Sequence, residues 1–183
     1  MTPFHPIPGA LSVQDCADLL AICAAAPLRD AGLVRATTAH QIRRADLVWL
    51  DDLPQAAWVM DHMVRLVAAA NRAAYGFDLT EFAESPQVAR YGAERQGHFD
   101  WHSDIGAGAL AARRKLTIVV QLSDPSAYEG GVLELRPDSS VRQAPQMQGM
   151  ATVFPSFVLH RVTPVTLGTR WSLTLWSHGP AFR

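Results

Sequence analysis

Two hydrophobic periods divide the chain. Before about residue 80 the apolar positions recur every three to four residues, and beyond about residue 86 they alternate. Ser12 followed by Asp15 reads as the start of a helix with a capping box, Asp standing in for the usual Glu. Val13, Cys16, Leu19, Leu20 and Cys23 then share one helical face, and Pro27 ends the run. A second helix is predicted to begin near Pro54, a good first-turn residue. It carries Trp58, Val59, Met63, Leu66, Val67 and Ala70 inward and stops near Gly76. Between the two helices, residues 41–50 read as a strand.

The later part predicts strands at 86–92, 97–103, 114–122, 131–136, 140–144, 149–154, 158–163 and 169–177, most of them separated by Gly or Pro. In 114–122, Leu116, Ile118, Val120 and Leu122 face one way, and Lys115, Thr117, Val119 and Gln121 the other. In the last strand Trp171, Leu173 and Leu175 oppose Arg170, Ser172, Thr174 and Trp176. About eight short strands after closely spaced helices predict an α+β, mainly β fold. Its core is a double-sheet jelly roll (a double-stranded β-helix), with the N-terminal helices buttressing one sheet. No linker interrupts the pattern. One domain is expected over 1–183, with helical support and an early strand in 1–80 and the jelly-roll core in 86–178.

Composition agrees with a folded domain: 183 residues, 49% hydrophobic and 18% charged. The formal net charge of −1 gives no reason to expect a nucleic-acid partner. Cys16 and Cys23 lie on one helix about 10 Å apart along its axis, too far for a disulfide. They are expected to be buried, reduced thiols. The N-terminus MTPFHPIPGALS lacks a basic region and a continuous apolar run, and no stretch approaches a membrane span. A cytoplasmic protein without a membrane partner is therefore expected.

The chemistry concentrates in residues 97–106, GHFDWHSDIG. In a regular strand His98, Asp100, His102 and Asp104 would project from one face. Such a face needs either a metal or solvent, because an apolar core does not tolerate four unpaired ionisable groups. His160 follows Asp104 by 56 residues in a second strand-like segment. Two His and one carboxylate can hold one face of an octahedral metal and leave positions open for oxygen and a chelating substrate, which suits non-haem Fe(II). A structural zinc site would more often have four protein ligands. His102 and Asp104 are preferred over the rival pair His98 and Asp100 because they lie where the strand runs out toward Ile105 and Gly106. His98 and Asp100 then face substrate, support the ligands or are simply solvated. Arg170 comes ten residues after His160, with Ser172 on the same face. Its planar fork matches a carboxylate, and an inward-facing Arg needs an anionic partner, although an isolated Arg is usually a surface residue.

Taken together, YGAERQGHFDWHSD, RKLTIVVQLSD, YEGGVLEL and FPSFVLHRVTPVTLGTRWSLTLW resemble the 2-oxoglutarate/Fe(II) oxygenase superfamily over most of residues 88–178. The likeness is greatest to its prolyl-4-hydroxylase-like branch, including bacterial members of the prolyl/lysyl hydroxylase-domain (PKHD) type. The resemblance implies an enzyme that uses Fe(II), 2-oxoglutarate and O2 to hydroxylate a C–H bond, releasing succinate and CO2. It implies that His102, Asp104 and His160 bind iron. It further implies that Arg170, assisted by Ser172, pairs with the distal carboxylate of 2-oxoglutarate, and that Tyr91 hydrogen-bonds the same cosubstrate. The substrate expected is a protein, peptide, amino-acid side chain or other small molecule. Contacts to it are expected from the loops around 28–45 and 105–113, the latter acting as a lid. Arg43 and Arg44 belong either to a solvated face or to the substrate site. Trp101 and Trp176 are candidates for an aromatic wall, and Tyr128-Glu-Gly-Gly for a tight turn. Two other readings stay open: a cupin-like metal enzyme that does not use 2-oxoglutarate, and a non-catalytic jelly-roll binding module.

Overall fold

Ser12 caps the first helix as its spacing predicts. In helix α1 (Val13–Ala25) the Asp15 N–H donates to Ser12 Oγ at 3.0 Å, and the Ser12 N–H donates back to Asp15 Oδ2 at 3.1 Å. Helix α2 (Trp58–Ala70) begins later than the sequence suggests. Pro54 instead opens a separate 3-10 turn, Pro54–Ala56. A wide turn over Asn71–Tyr75 then ends at Gly76, whose φ of +70° reverses the chain.

The computed structural model describes residues 3–31 and 42–182. Among them are thirteen strands: β1 (His5–Ile7), β2 (Arg29–Asp30), β3 (Arg43–Arg44), β4 (Asp46–Trp49), β5 (Gln87–Gly92), β6 (His98–His102), β7 (Arg114–Gln121), β8 (Tyr128–Gly130), β9 (Leu133–Arg136), β10 (Arg142–Gln143), β11 (Ala151–Pro155), β12 (Leu159–Val162) and β13 (Val165–His178). They form an eight-stranded sheet ordered β1-β11-β7-β13-β5-β4-β2, with β8 also on β13, and a five-stranded sheet ordered β10-β9-β12-β6-β3. Every strand predicted beyond residue 86 is present. The strand predicted at 41–50 differs, and residue 41 lies outside the described residues. Buried Ala45 divides it, so that β3 joins the smaller sheet through β6 and β4 joins the larger through β5. Tyr128–Gly130 is a short strand on β13 rather than only a turn.

Two cores result. Leu116, Ile118 and Val120 of β7 and Leu173 and Leu175 of β13 pack with Cys16, Leu19 and Cys23 of α1 and Val59, Met63 and Val67 of α2. The opposite faces of the same strands meet the smaller sheet in a second cluster that includes Val119, Leu133, Leu135 and Phe154. Each of these large side chains contributes about 1.5–3 kcal/mol by leaving water. Strands β7 and β13 are thus covered on both sides, with the helices behind and the cavity between the sheets in front. Both cysteines are free and buried, and burial pushes their thiols up to about 11 for Cys16 and about 12 for Cys23. Among the described residues no helix is long and apolar enough to cross a membrane.

Candidate metal centre and its cavity

Strands β6 and β12 run antiparallel in the smaller sheet, with His102 opposite His160. Between that pair and Phe99 opposite Val162, β6 takes three steps to the two of β12, which is a β-bulge. The bulge overturns the expectation that His98, Asp100, His102 and Asp104 share one face. Phe99 and His102 turn to the same side instead, and their rings stack 3.4 Å apart at 11°. Asp100 is exposed, and its side chain accepts from the Trp101 N–H at 2.7 Å. Asp104 lies beyond the end of β6, anchored by its N–H to Ser156 O at 3.0 Å.

This brings the predicted triad together. His102 Nε2 is 3.6 Å from Asp104 Oδ1, and His160 Nε2 is 3.5 Å from Asp104 Oδ2. One ligand atom from each residue lies within 4.8 Å of the other two. These separations are too long for good hydrogen bonds and leave room for a cation among the three atoms. The far side of each ring is fixed by backbone: His102 Nδ1 is 2.7 Å from Asp100 O, and His160 Nδ1 is 2.9 Å from Val158 O. A carbonyl can only accept, so each Nδ1 carries the hydrogen and each Nε2 lone pair is turned toward Asp104. Burial, and then the neighbouring His160, pushes the His102 imidazole down to about 4, which keeps it neutral. Burial alone would raise Asp104, but His160, His102 and the Thr117 hydroxyl outweigh it and hold the carboxyl below its usual range. Thr117 Oγ1 donates to Asp104 Oδ2 at 2.6 Å and lies 3.0 Å from Ser156 Oγ. Two imidazoles and a carboxylate with lone pairs converging form a donor set that fits Fe(II) with positions left open.

The triad lines a cavity that also reaches Tyr91, Arg170 and Ser172. Arg170 on β13 is fully buried, with Tyr91 as its cross-strand neighbour and its guanidinium 5.4 Å from the Tyr91 ring centre. Its Nη2 donates to Gln121 Oε1 at 2.6 Å, while Nε and Nη1 have no partner. Burial lowers the pKa of Arg170 against the opposing influence of Tyr91 and Tyr128. A buried guanidinium with two unpartnered nitrogens calls for an anion. Gly131 makes the space for it. At φ +59° it takes a conformation that suits glycine, and a Cβ there would stand 2.8 Å from Arg170 Cδ. The Glu-Gly-Gly segment therefore shapes the pocket.

Other expectations resolve differently. Trp176 lines the cavity, whereas Trp101 lies on the other face of the smaller sheet beneath Arg161, 4.8 Å from ring centre to guanidinium. No residue of 105–113 lines the cavity. Arg43 does, while residues 32–41 of the other expected substrate loop lie outside the described residues. The sequence places Thr117 and Gln121 on the face of β7 opposite the core-facing residues but gives them no role, and it does not single out Arg114. Arg114 donates to Asp104 O at 3.0 Å and to Glu84 Oε2 at 2.6 Å, and stacks 4.0 Å over Trp176.

Residues 86–178 match the family described as the 2OG-Fe(II) oxygenase superfamily. A PKHD-type hydroxylase of Azoarcus sp. (strain BH72) is 33% identical over 128 residues, which cover 66% of this chain and 56% of that protein. A PKHD-type hydroxylase of Hyphomonas neptunium is 28% identical over 176 residues, covering 93% of this chain and 76% of that protein. The chain spans about half the length of several such relatives, 42% for a PKHD-type hydroxylase of Delftia acidovorans. Among solved structures, a Pseudomonas putida prolyl-4-hydroxylase superposes with a TM-score of 0.77 at 24% identity, covering 97% of this chain and 93% of that one. A Trichoplax adhaerens prolyl hydroxylase, in complex with a peptide fragment of the hypoxia inducible factor oxygen degradation domain, gives 0.80 at 18% identity, covering 97% and 84%. These two likenesses bear on the fold.

Proposed function

The chain belongs to the 2OG-Fe(II) oxygenase superfamily, whose members use Fe(II), 2-oxoglutarate and O2, and we propose that it hydroxylates a C–H bond in a protein, peptide or amino-acid substrate, in the cytoplasm, as a single domain. In this reading His102, Asp104 and His160 hold Fe(II), and Arg170, Ser172 and Tyr91 hold 2-oxoglutarate. When bound, iron with 2-oxoglutarate and O2 supplies the oxidising power for inserting one oxygen atom into a C–H bond, with 2-oxoglutarate converted to succinate and CO2. The chain's own residues do the rest. Thr117 keeps one oxygen of Asp104 turned away from solvent, and Gln121 sets the plane of the Arg170 fork. Val119, Leu133, Val162 and Trp176 present apolar surface around the reacting centre and limit water there.

The observation that carries this reading is Arg170: a fully buried guanidinium with two unpartnered nitrogens, in the same cavity as the triad. A cupin-like enzyme that does not use 2-oxoglutarate would have no need of it, and neither would a binding module without a metal. The test is anaerobic equilibrium binding. The wild type is expected to take up one Fe(II), and then 2-oxoglutarate. His102→Ala and His160→Ala are expected to lose the iron. Arg170→Ala is expected to keep iron but bind 2-oxoglutarate at least ~30-fold more weakly, the effect of removing one partner of a buried charge pair. Unchanged 2-oxoglutarate affinity in folded, iron-loaded Arg170→Ala would sink the assignment.

A further inference from the structure

The cavity contains a second arginine that this chemistry does not use. Arg43 on β3 sits opposite Phe99 on β6, with its guanidinium 4.5 Å above the Phe99 ring centre. Phe99 in turn stacks on His102. Arg43 and Arg170 approach the same cavity from opposite sheets. Resting on the reading that His102 holds iron and Arg170 holds 2-oxoglutarate, we propose that Arg43 is a specificity-determining residue that binds a carboxylate of the substrate, one aromatic ring away from His102.

Three observations lead there. First, Arg43 lacks an anion. Its Nε is buried without a partner, and no carboxylate among the described residues lies within ion-pair distance. The neighbouring segment 32–41, GLVRATTAHQ, contains neither Asp nor Glu. Second, other arginines of the same sheet region are provided for. Arg44 donates to Arg95 O at 3.3 Å, and Arg161 on the outer face donates to Glu134 Oε2 at 2.8 Å. Third, the acid that lines the cavity, Asp104, is taken up by Thr117 and the two imidazoles. Arg43 is half-buried, and stacking on Phe99 offsets part of the cost of burying its Nε and fixes the plane of the guanidinium. It does not satisfy the in-plane N–H donors, whose natural complement is a planar anion held by two parallel hydrogen bonds. A carboxylate supplied by substrate meets that need. It would be the α-carboxylate of an amino acid or chain end, or the side chain of an acidic residue beside the oxidised one. A neutral substrate would leave the donor unpaired, so the site would discriminate against it.

The test uses the full chain loaded anaerobically with Fe(II) and 2-oxoglutarate, and titration calorimetry with paired probes. N-acetyl-L-proline against N-acetyl-L-prolinamide tests a terminal carboxylate. Blocked Glu-Pro against blocked Gln-Pro tests an acidic side chain. At least one acid is expected to bind more tightly than its amide, on the order of 10- to 100-fold, as for a hydrogen bond to a charged group. Arg43→Gln should bring that pair to parity, and Arg43→Lys, which keeps the charge but not the fork, should retain part of the preference. Circular dichroism verifies that both variants fold. Equal binding of acid and amide in both pairs, or a preference that survives Arg43→Gln, would overturn the proposal. So would weaker 2-oxoglutarate binding in Arg43→Gln, since Arg43 would then serve the cosubstrate. Failure of the wild type to bind 2-oxoglutarate at all is a separate outcome, and it strikes the assignment of Arg170 instead.

Discussion

At the scale of single residues, the site depends on groups that touch the ligands from behind. Thr117 is the clearest case, because its hydroxyl donates to Asp104 while buried beside Ser156. Thr117→Val keeps the shape and removes the donor. It is expected to weaken Fe(II) affinity about 10- to 100-fold, the usual range for a lost support behind a metal ligand, with little change in the far-ultraviolet circular dichroism spectrum. Equilibrium dialysis against Fe(II) measures this, and an unchanged affinity would mean that the Thr117 donor gives the metal site no support. The cysteines make a contrasting prediction. Both are fully buried, and burial has raised their thiols to about 11 and about 12. Neither should react with a thiol reagent at pH 8 in the native protein, and both should react once it is unfolded. A fast native reaction at either would place it nearer to solvent than it is here.

At the scale of elements, the end of β13 is tied to the start of β7 through Glu84. Arg114 and His178 converge on this carboxylate, and Arg114 continues to the backbone of Asp104. Burial alone would raise the pKa of Glu84, but Arg114 and then His178 outweigh it and hold the carboxyl below its ordinary value of 4.5. A depressed carboxylate adds stability that is fully present above 4.5 and fades as pH falls through the lowered value. Glu84→Gln should therefore destabilise by about 1–3 kcal/mol at pH 7, and the gap from wild type should close as pH falls from 4.5 through the lowered value. Urea midpoints at pH 7 and through the acid range decide this. A constant gap would show that the charge of Glu84 contributes nothing. The same elements explain what was legible in the sequence. Strands β7 and β13 were readable because each has one apolar face on the helices, so Leu116, Ile118, Leu173 and Leu175 alternate with the cavity residues. Arg170 and Ser172 were readable from that alternation in β13, whereas the grouping of His102, Asp104 and His160 was expected from their residue types and the family likeness. The bulge in β6 was not readable, since a single extra residue leaves no compositional mark, and with it went the correct facing of Phe99, His98 and Asp100. The split at Ala45 was hidden for a similar reason: two short strands in different sheets read as one continuous run. Arg114 and Glu84 meet across 30 residues, a pairing that no local pattern encodes.

At the scale of the whole molecule, the helices share a core with the larger sheet. Helix α1 and helix α2 cover the back of the larger sheet, and residues 86–178 alone would expose Leu116, Ile118, Leu173 and Leu175 to water. The full chain is expected to unfold in one cooperative transition, with tryptophan fluorescence and circular dichroism coinciding. The isolated 86–178 segment is expected to aggregate or stay unfolded. A soluble, folded segment with its own transition would divide the chain into two units.

The two-sided burial of β7 and β13 also makes the cavity and the helices share one thermodynamic account. Iron that binds only the folded cavity raises the free energy of unfolding everywhere, including in helices it never contacts. The relation is reciprocal: a loosened contact at Met63 or Leu19, remote from any ligand atom, would lower metal occupancy at limiting iron once it leaves a sizeable share of the protein unfolded. Substitutions on the helical side thus act on how readily the site is filled near the unfolding midpoint, while leaving every residue that lines the cavity unchanged.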